Sequence, residues 1–305
     1  MSTPGQATQD TPRLLWLPRW LTGDHPLPWL APAFALIIGF GIYPLVYSIW
    51  LSLHERNRFT RVQEFVGGKN WAAAFGDDRF WDSLLVTLEY TAICLIIQIA
   101  LGMAIALILD CERRGYGVLR ALMCLPLVVP PAVTGLMFLL MEDGQFGVIS
   151  IYLKFLGLVD PNNPILGNPA VALWGVMLAD IWQWTPFMVL IFLAGLRALP
   201  KEPFEAAAID GATPVQAFWY LTLPMLGRVI AVAVLIRTID LFRIYDYIYT
   251  MTAGGPGTVT ETLSFYAGRV FGVAQFNYAA TLSLITLILL NLICFAFIKL
   301  ARVRF

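Results

Sequence analysis

Long apolar runs separated by shorter polar stretches set the plan of the chain. They fall near 30–52, 84–109, 118–141, 170–196, 227–249 and 279–300. Each holds about 20 residues or more, enough for a helix to cross a hydrocarbon core about 30 Å thick. The pattern predicts an all-α integral membrane protein with six transmembrane helices, preceded by an N-terminal tail over 1–29, so that 30–305 forms the transmembrane unit. Breakers sit inside several runs. Pro44 predicts a kink in the outer half of the first span. Gly102 and the cluster Pro126, Pro130 and Pro131 interrupt spans two and three, where neighbouring helices must re-satisfy the freed backbone groups. The stretch 142–169, rich in Pro, Asn and Gly, reads as an irregular outer cap with a short helix over 149–155.

Between spans four and five lies a polar island, 199–224, with the punctuation of two short helices meeting at a turn. Pro203 suits a first helical turn, 204–209 is helix-forming, and Gly211 supplies a left-handed residue to end it. Thr213 is then an N-cap, Pro214 takes the next position, and Gln216 stands at the capping-box spacing.

Composition agrees with the pattern. With 59% hydrophobic and 13% charged residues and a mean hydropathy of +0.73, the chain is too apolar for a soluble domain of 305 residues. Its formal net charge of zero argues against a nucleic-acid partner. Cys94, Cys111, Cys124 and Cys294 have no metal-ligand spacing, so no metal is expected. Pro12, Pro18, Pro26 and Pro28 interrupt the start of the chain and no small-residue cleavage site follows, so the first span is expected to be retained. Placing the N-terminus in the cytoplasm puts Arg13, Arg19, Arg113, Arg114, Arg120, Arg197, Lys201, Arg228, Lys299, Arg302 and Arg304 inside. Lys154 and Arg269 then lie outside. The first outer loop is the exception, with Arg56, Arg58, Arg61, Lys69 and Arg79 interleaved with acidic residues.

Candidate chemistry lies in spans four and five. In an ideal helix Asp180, Gln183, Trp184 and Phe187 fall at about 0°, −60°, +40° and −20°, a single face. A carboxylate, an amide and two rings on one intramembrane stripe fit a sugar site, in which polar groups bond hydroxyls and rings cover the apolar side of a pyranose. They fit equally a helix–helix contact with a polar latch. In span five, Arg237 and Asp240 share a face with Leu241 and Ile244, whereas Arg243 and Asp246 point elsewhere. Charges at this depth cost about 2.5–3.5 kcal/mol each, so they are expected to be paired and to face protein or a wet cavity. Glu89 and Gln98 of span two are further polar groups at membrane depth, able to line a path or to bond a neighbouring helix.

Several strings carry a family resemblance. Glu205-Ala206-Ala207, Asp210-Gly211-Ala212 and Leu221-Thr222-Leu223-Pro224 closely resemble the cytoplasmic EAA loop of permease subunits in binding-protein-dependent ABC importers. From Trp182 and Pro186, through this loop, to Thr252-Ala253-Gly254-Gly255-Pro256, the chain aligns without gaps to maltose-type permeases. The resemblance implies a type I ABC importer permease fold, located in the bacterial cytoplasmic membrane, with a coupling helix docking on an ATPase through Glu205, Ala206, Ala207, Asp210, Gly211, Ala212, Leu223 and Pro224. It implies a sugar path lined by Asp180, Gln183, Trp184, Phe187, Arg237, Asp240, Leu241 and Ile244. Arg237 and Asp240 look more like the trehalose-importing branch than the maltose one, and an arginine also admits glycerol 3-phosphate or an anionic sugar. The implied partners are a second homologous permease, two ATP-binding subunits, an extracytoplasmic sugar-binding protein, the sugar and membrane lipid. ATP and Mg belong to the ATPase subunits, since no Gly-x-x-x-x-Gly-Lys-Ser/Thr loop occurs in this chain. No catalytic constellation is found, which argues against an enzyme. The rival is an ion-coupled secondary transporter using the intramembrane Asp and Arg residues; it predicts related halves and leaves the 199–224 string unexplained.

Overall fold

The computed structural model describes residues 27–56, 62–111, 115–157 and 164–300. Most of the tail assigned to 1–29 lies outside the described residues, as do Arg13, Arg19, Arg58, Arg61, Arg113, Arg114, Arg302 and Arg304 of the charge map.

The first span consists of α1 (Leu27–Leu36), a π-helical segment (Ile37–Ile42) and α2 (Tyr43–Ser52). Pro44 stands in the first turn of α2, and the expected kink takes the form of a widened turn just before it: the Tyr43 N–H donates to the Ile38 carbonyl, five residues back. An antiparallel ribbon of β1 (His54–Arg56) and β2 (Gln63–Phe65) follows, with His54 opposite Phe65. Hydropathy gives no sign of this ribbon. Buried Asn70 pins its start by donating to the Ser52 and His54 carbonyls, both at 2.9 Å. Asn70 belongs to α3 (Lys69–Phe75), which leads into α4 (Asp78–Asp110), the longest helix of the described residues. Asp77 caps α4 by accepting from the Arg79 N–H at 3.0 Å.

Span three is not one straight helix. The run expected over 118–141 is divided into α5 (Tyr116–Met123), α6 (Leu125–Val128) and α7 (Pro131–Met141), with a bend of 96° between 116–128 and 131–141. The cause is Pro130, which forces Val129 into an extended conformation. The expected outer helix is present as α8 (Val148–Phe155), and a 3₁₀ turn (Ile165–Gly167) precedes α9 (Ala172–Arg197).

The island folds as its punctuation predicts. It comprises α10 (Glu202–Ile209), α11 (Pro214–Ala217), a π-helical turn (Phe218–Thr222) and α12 (Leu223–Met225). Gly211 ends the first helix at φ +78°, where a side chain would be strained. Both halves of the Thr213–Gln216 capping box are formed. Span five, expected over 227–249, is α13 (Gly227–Phe242), and then it breaks; a π-helical turn (Ile248–Thr252), α14 (Leu263–Gly272) and α15 (Phe276–Leu300) follow. No proline or glycine causes this break. The Thr262 hydroxyl donates to the Ile244 carbonyl at 3.1 Å, a tertiary bond that helps hold the chain out of helix.

Among the described residues, four helices are long and apolar enough to cross a membrane, or six if 116–141 and 214–242 each count as one bent span. The first span exposes apolar side chains along its length, as lipid contact requires, whereas α9 is mostly buried. α4 is the spine. Its N-terminal half packs with α3, α14 and α15 through Phe80, Leu263, Tyr266 and Leu282. Its middle packs on α7 and α9 around Tyr90, Phe138 and Met177, and its C-terminal half packs on α9 and α13 around Met103, Phe192 and Ala233. A Cβ on Gly102 would lie 2.7 Å from the Met188 Cβ, so glycine lets α4 and α9 approach at that turn.

Candidate functional site

Asp180, Gln183, Trp184 and Phe187 project from α9, and Arg237, Asp240 and Leu241 from α13; Ile244 lies past the end of that helix. A polar network joins most of them. An Arg237 terminal nitrogen (Nη2) donates to Asp180 Oδ1 at 2.6 Å. The third member comes from α4: Gln98 Nε2 donates to the same Asp180 oxygen at 2.7 Å, and Gln98 Oε1 accepts from Arg237 Nε at 3.0 Å. Gln98 was one of two polar groups noted at this depth in its span; its partners lie on helices distant in sequence, so spacing alone does not reveal the pairing.

The Arg237 guanidinium also lies over the Trp184 ring, 4.9 Å from its centroid, a favourable cation–π placement. Trp184 meets Phe187 edge to face, with centroids 6.0 Å apart. Its indole N–H donates to the Tyr247 hydroxyl at 3.2 Å, and that hydroxyl donates to Gln183 Oε1 at 2.5 Å. Gln183 in turn donates to the Val129 carbonyl at the bend of span three. Tyr247 is therefore a second member that the helical face of 180–187 does not announce.

Not all the expected lining residues face a space. Leu241 and Ile244 are buried in the apolar cluster around Tyr90 and Tyr247. Ile244 owes its place to the break after Phe242, not to the helical angle that grouped it with Arg237. Asp240 is 31% exposed and lies 4.0 Å from Arg237 and 3.5 Å from Arg243. Arg243, expected to point away, thus shares Asp240 with Arg237, while Asp246 is exposed. Glu89 is exposed and Gln98 is not.

At the other end of α9, the 199–224 hairpin has little cover. Glu205, Ala206, Asp210, Gly211 and Pro224 are exposed, and Ala207, Ala212 and Leu223 are half-buried. Ala207, Asp210, Gly211 and Ala212 line a concavity of about 410 Å³ between the two helices. Ile209, 87% exposed, stands beside it, with Val215, Trp219 and Tyr220 also exposed. Arg197 and Asp110 approach to 3.7 Å, so the C-terminal ends of α4 and α9 meet on this side.

A third cluster closes the opposite side. Glu261, fully buried, pairs with Arg79 at 2.7 Å and Arg269 at 3.1 Å. Burial raises its pKa, and Arg79 opposes that shift. Asp77 accepts from the Tyr266 and Tyr278 hydroxyls at 2.6 and 2.8 Å. Burial alone pushes its carboxyl up, but these two bonds, the Arg79 N–H and the Arg79 charge bring it below the ordinary value. The cluster ties the start of α4 to the turn before α14.

The trehalose/maltose transport system permease protein MalF of Thermococcus litoralis is 35% identical over 275 residues, covering 90% of this chain and 92% of that protein. The trehalose transport system permease protein SugA of Mycobacterium tuberculosis is 31% identical over 272 residues, covering 89% and 86%. In fold, the chain superposes with a TM-score of 0.77, at 20% identity and covering 90% of this chain and 94% of the other, on a chain of a bacterial ABC transporter involved in import of the acidic polysaccharide alginate. The profile of the binding-protein-dependent transport system inner membrane component family matches residues 98–304. The bent six-span bundle, the capped and exposed hairpin and these likenesses lead to one conclusion: the chain belongs to the binding-protein-dependent transport system inner membrane components.

Proposed function

We propose that the chain is a permease subunit of an ATP-driven sugar importer, with a sugar of the trehalose type as its first candidate substrate. The observation that carries this reading is the 199–224 hairpin: a pre-capped, rigid element whose apolar and acidic groups stand exposed at one end of the bundle, with Glu205, Asp210 and Gly211 at its surface. Such an element suits transmission of force from a motor outside the bilayer, and α9 and α13 lead directly from it to the polar network. The names of the two permease relatives support the sugar class. In this reading two ATP-binding subunits receive the hairpin on the cytoplasmic side, where the N-terminus also lies, and hold ATP and Mg. A second permease completes the path, and an extracytoplasmic binding protein delivers the sugar. A secondary transporter has no use for the hairpin, and family membership leaves that rival without support.

The test is to purify the tagged chain gently from its native membrane and identify what accompanies it. One further membrane subunit and two ATPase subunits, with hydrolysis stimulated by trehalose-loaded binding protein, are expected. Glu205→Ala and Gly211→Val should then leave hydrolysis but lose uptake. A chain that purifies alone and moves solute under a proton gradient would refute the importer reading.

A further inference from the structure

Resting on the reading that α9 and α13 line the substrate path, we infer that Gln98, Asp180 and Arg237 do not touch substrate but form a closed, electrically neutral latch across α4, α9 and α13, with Gln98 as a positioning residue, and that the latch fits the path to an uncharged polyhydroxy ligand. Gln98 is 0% exposed and Asp180 and Arg237 are each 1% exposed within this single chain. A partner subunit or lipid can only cover them further. Their bonding is also reciprocal. Asp180 Oδ1 accepts from both Gln98 and Arg237, while Gln98 Oε1 accepts from Arg237 Nε, so each of the three bonds the other two. Gln98 Nε2 also reaches the Asp180 carbonyl at 3.2 Å, tying side chain and backbone of α9 to α4.

What the latch leaves accessible differs in kind. Trp184 and Phe187 are half-buried and Asp240 is 31% exposed, so two partly accessible rings and a carboxylate form the rim. The latch sets that rim, because the Arg237 guanidinium lies against Trp184 and 4.0 Å from Asp240. Rings and a carboxylate acceptor suit sugar hydroxyls and pyranose faces. An anionic ligand would need a free cation; buried Arg237 already faces Asp180, and the exposed Arg243 lies 3.5 Å from Asp240, so each arginine has a carboxylate beside it. The transporter of acidic alginate therefore shares the fold without predicting an acidic ligand here.

The decisive experiment exchanges amide and carboxylate between α4 and α9. In the intact complex, Gln98→Glu sets a second carboxylate beside Asp180, and Asp180→Asn strands Arg237; each should lower trehalose uptake about tenfold or more. The double variant Gln98→Glu with Asp180→Asn restores one carboxylate, one amide and the acceptors facing Arg237, giving up only the Gln98 bond to the Asp180 carbonyl, and should recover uptake to within about threefold of the natural protein. If Asp180 contacts substrate, moving its charge to α4 does not restore uptake in a folded double variant, and the proposal is overturned. The thermal midpoint of the full chain in detergent gives a reading that needs no substrate: the double variant should exceed both single ones, and additive losses would equally overturn the latch. Failure of the natural complex to transport trehalose would count against the sugar reading alone, since the thermal comparison still judges the latch.

Discussion

Two carboxylates in this chain are each 1% exposed, yet they have opposite surroundings. Asp180, near the middle of α9, accepts from Gln98 and Arg237 at 2.7 and 2.6 Å. Glu142, at the C-terminal end of α7, has no hydrogen-bond partner for either carboxylate oxygen among the described residues. It lies under Ile165 and Leu166 and beside Gly175, where a Cβ would collide with Oε2. Only its backbone is satisfied, by the Ser150 hydroxyl donating to its carbonyl at 2.6 Å. A buried charge is tolerated when paired and hydrogen-bonded; otherwise the group keeps its proton. The same residue class therefore acts as an ion-pair member at one site and as a titrating neutral acid at the other. Burial alone raises the Glu142 pKa to about 7 from an ordinary 4.5.

The sharpest way to break this contrast is to make the paired site resemble the unpaired one. Arg237→Leu leaves Asp180 buried with only Gln98, and loss of one partner from a buried pair costs about 3–5 kcal/mol. We expect a large fall in the thermal midpoint of the chain in detergent, or loss of folded chain from the membrane. Replacing both members with apolar residues of similar volume should be far milder. A single variant that melts within a degree of the natural protein would show that Asp180 does not depend on its arginine.

The unpaired site gives a smaller effect with a distinctive pH signature. Because the folded-state pKa of Glu142 is raised, its stabilising contribution is fully present below pH 4.5 and is lost as pH rises through about 7. The full swing is about 3 kcal/mol by the linkage between pKa and stability. Glu142→Gln keeps the shape and removes the titration. Thermal midpoints measured from pH 5 to 8 should fall with pH in the natural chain, and this component of the fall should vanish in the variant. Equal slopes in the two proteins would place the titrating group elsewhere.

Hydropathy and punctuation carried most of the architecture but only part of the site. Spans two, four and six were legible because each is an unbroken apolar helix; the expected run matches the helix closely in Ala172–Arg197, whereas Asp78–Asp110 begins before the expected 84. The hairpin was legible for a different reason: Gly211, Thr213 and Gln216 act locally, through a left-handed turn and a capping box that involve only their neighbours. The bend at Val129–Pro130 was signalled by its prolines, though not its 96° angle. The break after Phe242 was not signalled, because the Thr262 bond to Ile244 is tertiary. The site follows the same division. One helical face grouped Asp180, Gln183, Trp184 and Phe187, since a fixed angle per residue relates them. Gln98, which completes the network from α4, is a tertiary partner that no local pattern specifies. Nor did any pattern mark Glu142 as buried, since it follows an apolar run at a position where solvent exposure was the natural expectation.

The smallest effect separates the two halves of Glu142. Ser150→Ala removes the hydroxyl that bonds the Glu142 carbonyl while leaving the carboxyl among the same neighbours. The buried carbonyl is then left without its donor, which costs about 1–3 kcal/mol. Since neither the serine nor the carbonyl titrates, the midpoint should fall by the same amount at pH 5 and at pH 8. Glu142→Gln should do the reverse, altering the pH slope with the backbone bond intact. A Ser150→Ala loss that grows with pH would mean that the hydroxyl serves the carboxylate after all, and the contrast between a satisfied Asp180 and an unsatisfied Glu142 would narrow to one of degree.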